Sequence, residues 1–271
     1  MLNRAITIEQ KKQYEDDGYL IIKNAISIDA IDKFSDFVAH VVALEGKSFL
    51  GKKKWSKEEL LNDLLIKIKQ ESPSSSSWIY QTILNSYALK EFFITIDIAP
   101  YADKLLGIND RNNLGTVSPA FRFDIPGDKR NIRNWHQDSN YFLENEKGSQ
   151  HLVTWIPINK SFKDNGSVIM APGTHKEGRL EREYLKGANF TSEQYTTPSS
   201  LYENRGLDYI EANPGDIAFI NMDLIHSSGI NITSNSVRYT AQIRFNTINE
   251  QAYRPVFLKA EYPEYTRLGD Q

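Results

Sequence analysis

The chain contains no cysteine. That excludes disulfides, thiolate nucleophiles and every sulfur-ligated zinc or iron–sulfur centre, so any metal must be held by nitrogen and oxygen. Histidine is scarce too, at five residues in 271, which leaves few imidazoles to choose among. Nor is there a basic excess. A formal net charge of -3 and a pI near 6.0 provide no field to gather nucleic acid or an anionic membrane. Residues Met1 to Asp17 are polar and charged without an apolar core, so neither a signal peptide nor a membrane anchor is expected there, and a cytoplasmic location is the default expectation. What remains, 40% hydrophobic and 25% charged, is the composition of an ordinary globular protein.

Against that background one stretch stands out, Asn134-Trp135-His136-Gln137-Asp138. An imidazole and a carboxylate at i and i+2 on an extended segment project to the same side of the chain. Both can then grip one metal ion. A third ligand from far along the chain would complete a two-histidine, one-carboxylate face, which leaves the opposite coordination positions of an iron open. The choice lies among His40, His151, His175 and His226. His226 is the best placed, because it follows the apolar run Ile217 to Ile220 and begins a strand end running into a turn, His226-Ser227-Ser228-Gly229. Taken alone, His-x-Asp arises by chance as a solvent-facing pair, so the context has to carry the argument.

Read in order, Ile8 to Asp17 forms a short polar helix punctuated by Gly18, and Tyr19 to Ile22 a strand. Ser27 can cap the next element, an amphipathic helix whose apolar residues run from Ile28 to Val42. His40 lies near its end as a partly exposed helix residue. Lys52-Lys53-Lys54-Trp55 reads as a solvated turn, and a helix follows from about Lys57 to Gln70. The serine-rich Ser72 to Ser77 suits a mobile surface connection, after which Trp78 to Ile98 is largely helical. From Val117 the texture changes to strands separated by turn signals: Ala120–Asp124, His151–Pro157, Ser167–Ala171, Asp216–Asn221 and Val237–Phe245. No helix-length pattern separates them at regular intervals, so an antiparallel sandwich or barrel is preferred over a doubly wound parallel sheet. The expected architecture is therefore mainly β with a helical N-terminal part. Gly178 to Gly206 is long, charged and aromatic without a period, and reads equally as a lid over the site or a surface insertion.

Four ordered blocks now resemble a known family. They are Trp135-His136-Gln137-Asp138 with Tyr141-Phe142; Trp155-Ile156-Pro157; Asn165-Gly166 through Ala171-Pro172-Gly173-Thr174-His175-Lys176; and His226-Ser227-Ser228-Gly229-Ile230-Asn231 before Arg238. With Asp17-Gly18-Tyr19, they look like the phytanoyl-CoA dioxygenase family of iron(II) and 2-oxoglutarate dependent oxygenases, built on a double-stranded β-helix (a jelly-roll barrel) preceded by helices. The resemblance implies one such domain over 1–271, helical to about residue 115, jelly-roll from about 116 to 250, with a tail at 251–271. It implies iron ligation by His136, Asp138 and His226. Arg238, twelve residues past His226, would bind the distal carboxylate of 2-oxoglutarate, with Arg244 as the fallback. Ser228 would assist that carboxylate, while Trp155 and Phe121 would line the co-substrate pocket. His175 would orient neighbouring groups, and His151 has no matching role.

Iron(II), 2-oxoglutarate and oxygen are then the expected cofactor and co-substrates, and a small molecule the expected partner. Asp138 favours hydroxylation, since related halogenases carry a small residue at that position. Arg122, Gln137, Asn140 and Tyr141 are candidates to touch the substrate. If Arg122, alternating with Phe121 and Phe123, points inward, an anionic or polar substrate follows. No basic cluster suggests a coenzyme A phosphate site. Two rival readings are a jelly-roll metal-dependent isomerase, which would have no need of Arg238, and a non-catalytic binding module.

Overall fold

The structure is a computed structural model that describes residues 5–51, 53–129, 132–142, 150–180, 183–185 and 194–248. It opens on helix α1 (Ile8–Asp17), where Thr7 and Gln10 close a reciprocal capping box. Gly18 ends α1 in the left-handed region at φ 82°, and a Cβ there would lie 2.4 Å from His175 Nδ1, so only glycine fits. Strand β1 (Tyr19–Ile22) follows directly. The helical layer is α2 (Ile28–Glu45), α3 (Lys47–Leu50), α4 (Lys57–Glu59), a π-helical turn (Leu60–Leu64), α5 (Leu65–Glu71), α6 (Pro73–Leu84), α7 (Tyr87–Ile96) and α8 (Ala99–Leu105). The serine run expected as a mobile connection is instead the start of α6. Pro73 begins that helix, where its missing N–H costs nothing, and Ser76 is buried.

The strands are β2 (Leu114–Asp124), β3 (His151–Pro157), β4 (Val168–Met170), β5 (Glu183–Leu185), β6 (Gln194–Thr196), β7 (Asp208–Tyr209), β8 (Ile217–Asn221), β9 (His226–Ser228) and β10 (Arg238–Thr247), with the short helix α9 (Ser139–Phe142) between β2 and β3. Five form an antiparallel sheet in the order β1-β8-β3-β10-β2, and three a smaller sheet in the order β7-β4-β9. A pair, β5-β6, stands apart. This is the expected double-stranded β-helix with helices on the outer face of its larger sheet.

Period-2 alternation divides the labour within each strand of that sheet. On β10, Tyr239, Ala241, Ile243 and Phe245 join the core shared with the helices, among Phe34, Phe92, Ile68 and Ile83. Their neighbours Arg238, Thr240, Gln242 and Arg244 therefore face the other way, toward the barrel interior. A second cluster, including Val153, Trp155, Val168, Met170, Ala218 and Ile220, fills part of the space between the two sheets. The π turn also clamps the start of β10: the Tyr239 hydroxyl donates to Leu61 O, and Asn62 Oδ1 accepts from Val237 N at 2.8 Å.

The β9–β10 connection is held by Asn231, whose side-chain amide donates to Asp124 O at 2.8 Å and Ser236 O at 2.7 Å while its oxygen accepts from Thr233 N and Oγ1. Replacing Asn231 by alanine strands these buried partners, at about 1–3 kcal/mol for the first and less for the rest. Urea denaturation of Asn231→Ala is expected to show a loss of about 2–4 kcal/mol, above the ~1 kcal/mol of a typical substitution.

Candidate metal centre and cavity

The backbone brings the two ligand candidates together. His136 N donates to His226 O at 2.9 Å and His226 N to His136 O at 3.0 Å, the reciprocal exchange of a hydrogen-bonded antiparallel pair. Side chains opposed in such a pair emerge on one face, and the two imidazole centroids lie 4.3 Å apart. Asp138 follows two residues later. Its Oδ1 is 3.4 Å from His136 Nε2 and 3.8 Å from His226 Nε2, and one donor atom from each of the three lies within 4.8 Å of the others.

Each imidazole is oriented by its own chain. His136 Nδ1 meets Asn134 O at 2.6 Å and His226 Nδ1 meets Leu224 O at 2.9 Å, in both cases the carbonyl two residues upstream. A carbonyl only accepts, so each Nδ1 carries the proton and each Nε2 presents a lone pair toward Asp138. Three buried donor atoms converging without protons between them fit a cation. The set of two nitrogens and one carboxylate oxygen fits non-haem iron(II).

Burial pushes the Asp138 carboxyl up, but the Arg244 guanidinium and then the two imidazoles outweigh it and hold it well below the ordinary carboxylate range. Burial, reinforced by His136, pushes His226 down to about 4. Both shifts favour the unprotonated, metal-binding forms at neutral pH.

The triad opens on a cavity of about 220 Å³ whose wall includes Arg122, Arg133, Tyr141, Trp155, Ser228 and Gln242. Of the residues singled out in the sequence, Arg122, Tyr141, Trp155 and Ser228 lie on this wall. Arg238 is not on the wall. It is buried beside it, its Nη2 2.8 Å from Asp124 Oδ2, its Nε donating to Asn165 O at 3.3 Å and its guanidinium 5.4 Å from the Trp155 ring centroid.

Three expectations need correction. Phe121 lines no part of the cavity: it packs edge-on to Phe34 and stacks on Tyr239 in the helical core, because inward-facing Ala120 and Arg122 force it outward. Gln137, fully buried, points away from the triad. Its amide donates to Gly178 O and Asp223 O and accepts from Leu180 N. Asn140 is buried and accepts from Arg179. Both fasten the metal-binding loop to the segment after Thr174 instead of reaching into the cavity.

Of the other histidines, His40 is exposed, His175 bonds the backbone of Glu15, and buried His151 lies 3.4 Å from Asp223, which accepts a 2.6 Å hydrogen bond from Ser139. Sequence reasoning missed Arg133, Gln242 and the position of Arg244. The last two were legible in principle, since they continue the inward face of β10 at two-residue steps from Arg238.

The lid reading of 178–206 falls in part on 181–182 and 186–193, which lie outside the described residues. The returning half does dock beside the site: Tyr202 stacks on Trp135 at 4.2 Å between centroids, and Thr197 N donates to Trp135 O. Among the described residues no helix is long and apolar enough to cross a membrane.

Comparison with known proteins gives a consistent picture. The family described as phytanoyl-CoA dioxygenase (PhyH) matches over residues 14–239. Human peroxisomal phytanoyl-CoA dioxygenase is 26% identical over 235 residues, covering 85% of this chain and 66% of that protein, just under two thirds of its length. Among solved structures, EctD from S. alaskensis with 2-oxoglutarate and 5-hydroxyectoine superposes with a TM-score of 0.57 at 17% identity, over 92% of this chain and 79% of that one. The epimerase SnoN in complex with Fe3+, alpha ketoglutarate and nogalamycin RO gives 0.57 at 15% identity, over 88% and 82%. These structural likenesses establish the shared fold.

A metal at the triad stabilises the folded state by mass action, about 2.7 kcal/mol at a hundredfold excess over Kd. Manganese(II) or iron(II), added anaerobically, is expected to raise the melting temperature by roughly 5 °C in the parent. No rise is expected in His226→Ala, and an equal rise there would rule the triad out as the metal site.

Proposed function

This chain belongs to the phytanoyl-CoA dioxygenase family, whose members use iron(II) and 2-oxoglutarate, and on that premise we propose that it is an iron(II)- and 2-oxoglutarate-dependent dioxygenase hydroxylating a small polar metabolite. The observation that carries the reading is the buried His136–Asp138–His226 face opening on a cavity whose wall includes the hydrogen-bond donors Arg122, Arg133, Tyr141 and Gln242.

Bound there, iron(II) and 2-oxoglutarate supply the activation of oxygen, one oxygen atom entering the substrate as hydroxyl while 2-oxoglutarate leaves as succinate and carbon dioxide. The protein's share is positioning and exclusion of water. His136, Asp138 and His226 would hold the metal. Arg238 is assigned the distal carboxylate of 2-oxoglutarate with Ser228, and Trp155 the wall between. The guanidinium already accommodates one carboxylate, that of Asp124, and the co-substrate would share it or displace Asp124. A planar fork suits that task better than a point charge. Arg244 is the poorer candidate because Asp138 engages it.

On the substrate side, Arg122 and Arg133 face the same cavity as Tyr80 and Tyr141, and among the described residues the carboxylate on that wall is that of the metal ligand Asp138. Such a wall favours a substrate rich in acceptors, with a carboxylate or comparable anionic group. A metal-dependent isomerase would have no use for Arg238, and a binding module no use for the triad's matched tautomers.

Arg238→Lys separates these readings, because lysine keeps the charge beside Asp124 but loses the fork. In anaerobic titrations of the iron(II)-loaded protein, the visible band that forms on keto-acid chelation is expected to need about tenfold more 2-oxoglutarate, corresponding to ~1.4 kcal/mol, with iron affinity unchanged. An unaltered requirement removes Arg238 from the co-substrate site. No band in the parent removes the dioxygenase reading itself.

A further inference from the structure

We infer that Arg244 is a positioning residue that holds the outer oxygen of Asp138, so that the carboxylate offers the metal one oxygen only; this rests on the metal reading of the triad given above. Arg244 Nε donates to Asp138 Oδ2 at 3.0 Å, and Arg244 Nη2 lies 2.9 Å from the same oxygen. The other oxygen, Oδ1, is the one that faces the two Nε2 atoms, at 3.4 and 3.8 Å. An arginine opposite a carboxylate commonly takes both oxygens, one per N–H. Here both nitrogens approach the same oxygen, and the other oxygen faces the imidazoles. A guanidinium merely standing in for a metal ion would sit among the three donor atoms, whereas this one approaches Asp138 through its other oxygen.

Strand β10 carries Arg244 to the cavity wall. The register of β10 against β2 shifts between Gln242, opposite Ala120, and Arg244, opposite Val117, so β2 carries an extra residue in the stretch that contains Pro119. The bulge bends β2, where a strand proline belongs because it has no N–H for the ladder, while β10 keeps an unbroken register with β3 that sets Arg244 opposite Val153. Arg244 and Asp138 are both buried, with side chains 7% exposed, so the charge-assisted contact is shielded from water and salt.

The chemical consequence follows from carboxylate coordination. A carboxylate with both oxygens unengaged can close on a divalent ion through both. Such closure would consume a position that a chelating keto acid and oxygen require. Arg244 prevents it, fixes the orientation of Oδ1, and offsets part of the charge that Asp138 brings.

The test compares the parent with Arg244→Met, which keeps the stem without the fork, and Arg244→Lys, which keeps the charge with a different donor geometry. Three quantities are read on full-length protein: cobalt(II) affinity by calorimetry, the position of the iron(II)–2-oxoglutarate band, and the 2-oxoglutarate concentration that half-saturates it. Arg244→Met is expected to lose roughly 10–100-fold in cobalt(II) affinity, to shift the band and to need more 2-oxoglutarate, with Arg244→Lys between it and the parent. Values for Arg244→Met within twofold of the parent, at an unchanged melting temperature, would overturn the inference and leave Arg244 an ordinary buried ion-pair partner. Should Arg244→Met fail to fold, Arg244→Lys decides by the same criterion. A parent that binds cobalt(II) but forms no band defeats the dioxygenase reading while the cobalt(II) comparison still judges Arg244; a parent that binds no metal defeats both.

Discussion

Two backbone hydrogen bonds, exchanged between His136 and His226, carry the rest of the arrangement. They join segments far apart in sequence and impose a geometry in which neither imidazole can turn away from the other. Asp138 inherits its direction from the same pairing, being two residues further on. The surrounding loops serve that pair at close quarters. Gly229 donates to Ser167 O, and any Cβ at position 229 would lie 2.5 Å from that oxygen. Gly166, at φ 85°, packs closely against the backbone of Asn231 and Gly229, at 3.0 and 3.1 Å from an added Cβ. The glycines of two separate motifs are thus one contact, back to back.

Strand β10 shows how one sequence serves two environments. Its outward residues, Tyr239 to Phe245 at alternate positions, are apolar and lock the helical layer onto the sheet. Its inward residues are Arg238, Thr240, Gln242 and Arg244, a polar stripe that runs from the Asp124 pair to the Asp138 pair. All ten positions are buried. Burying two guanidiniums is tolerable because each meets a carboxylate, and removing either partner would leave a costly uncompensated charge.

Much of this was legible in the sequence, and for identifiable reasons. The strands announced themselves by alternation, and the boundary between α1 and β1 by the glycine at position 18. The triad was legible because few histidines compete for it and because His-x-Asp on an extended segment fixes a common direction. Phe121 was misplaced by a single step of the pleat, since which face of a strand lies inward depends on what packs against it, and that is tertiary information. Gln137 and Asn140 were misread for a related reason: proximity in sequence to a ligand says nothing about side, and these two lock the loop from behind. The serine run looked mobile by composition, yet proline at the first helical position and packing of Ser76 make it helix, with tertiary burial overriding a weak local preference. Arg133 gave no periodic signal at all, because it enters the cavity from an irregular segment.

The π turn at Leu60–Leu64 has a bearing on how relatives of this chain can vary. Such a turn is an α-helix carrying one residue too many. Deleting that residue would restore a plain helix but rotate everything on one side of it by about 100°, carrying Leu61 and Asn62 away from Tyr239 and Val237. A helix on the outer surface is ordinarily where length drifts freely between relatives. Here a one-residue change in length would loosen the residues flanking Arg238, so this stretch should keep its length even where its side chains diverge.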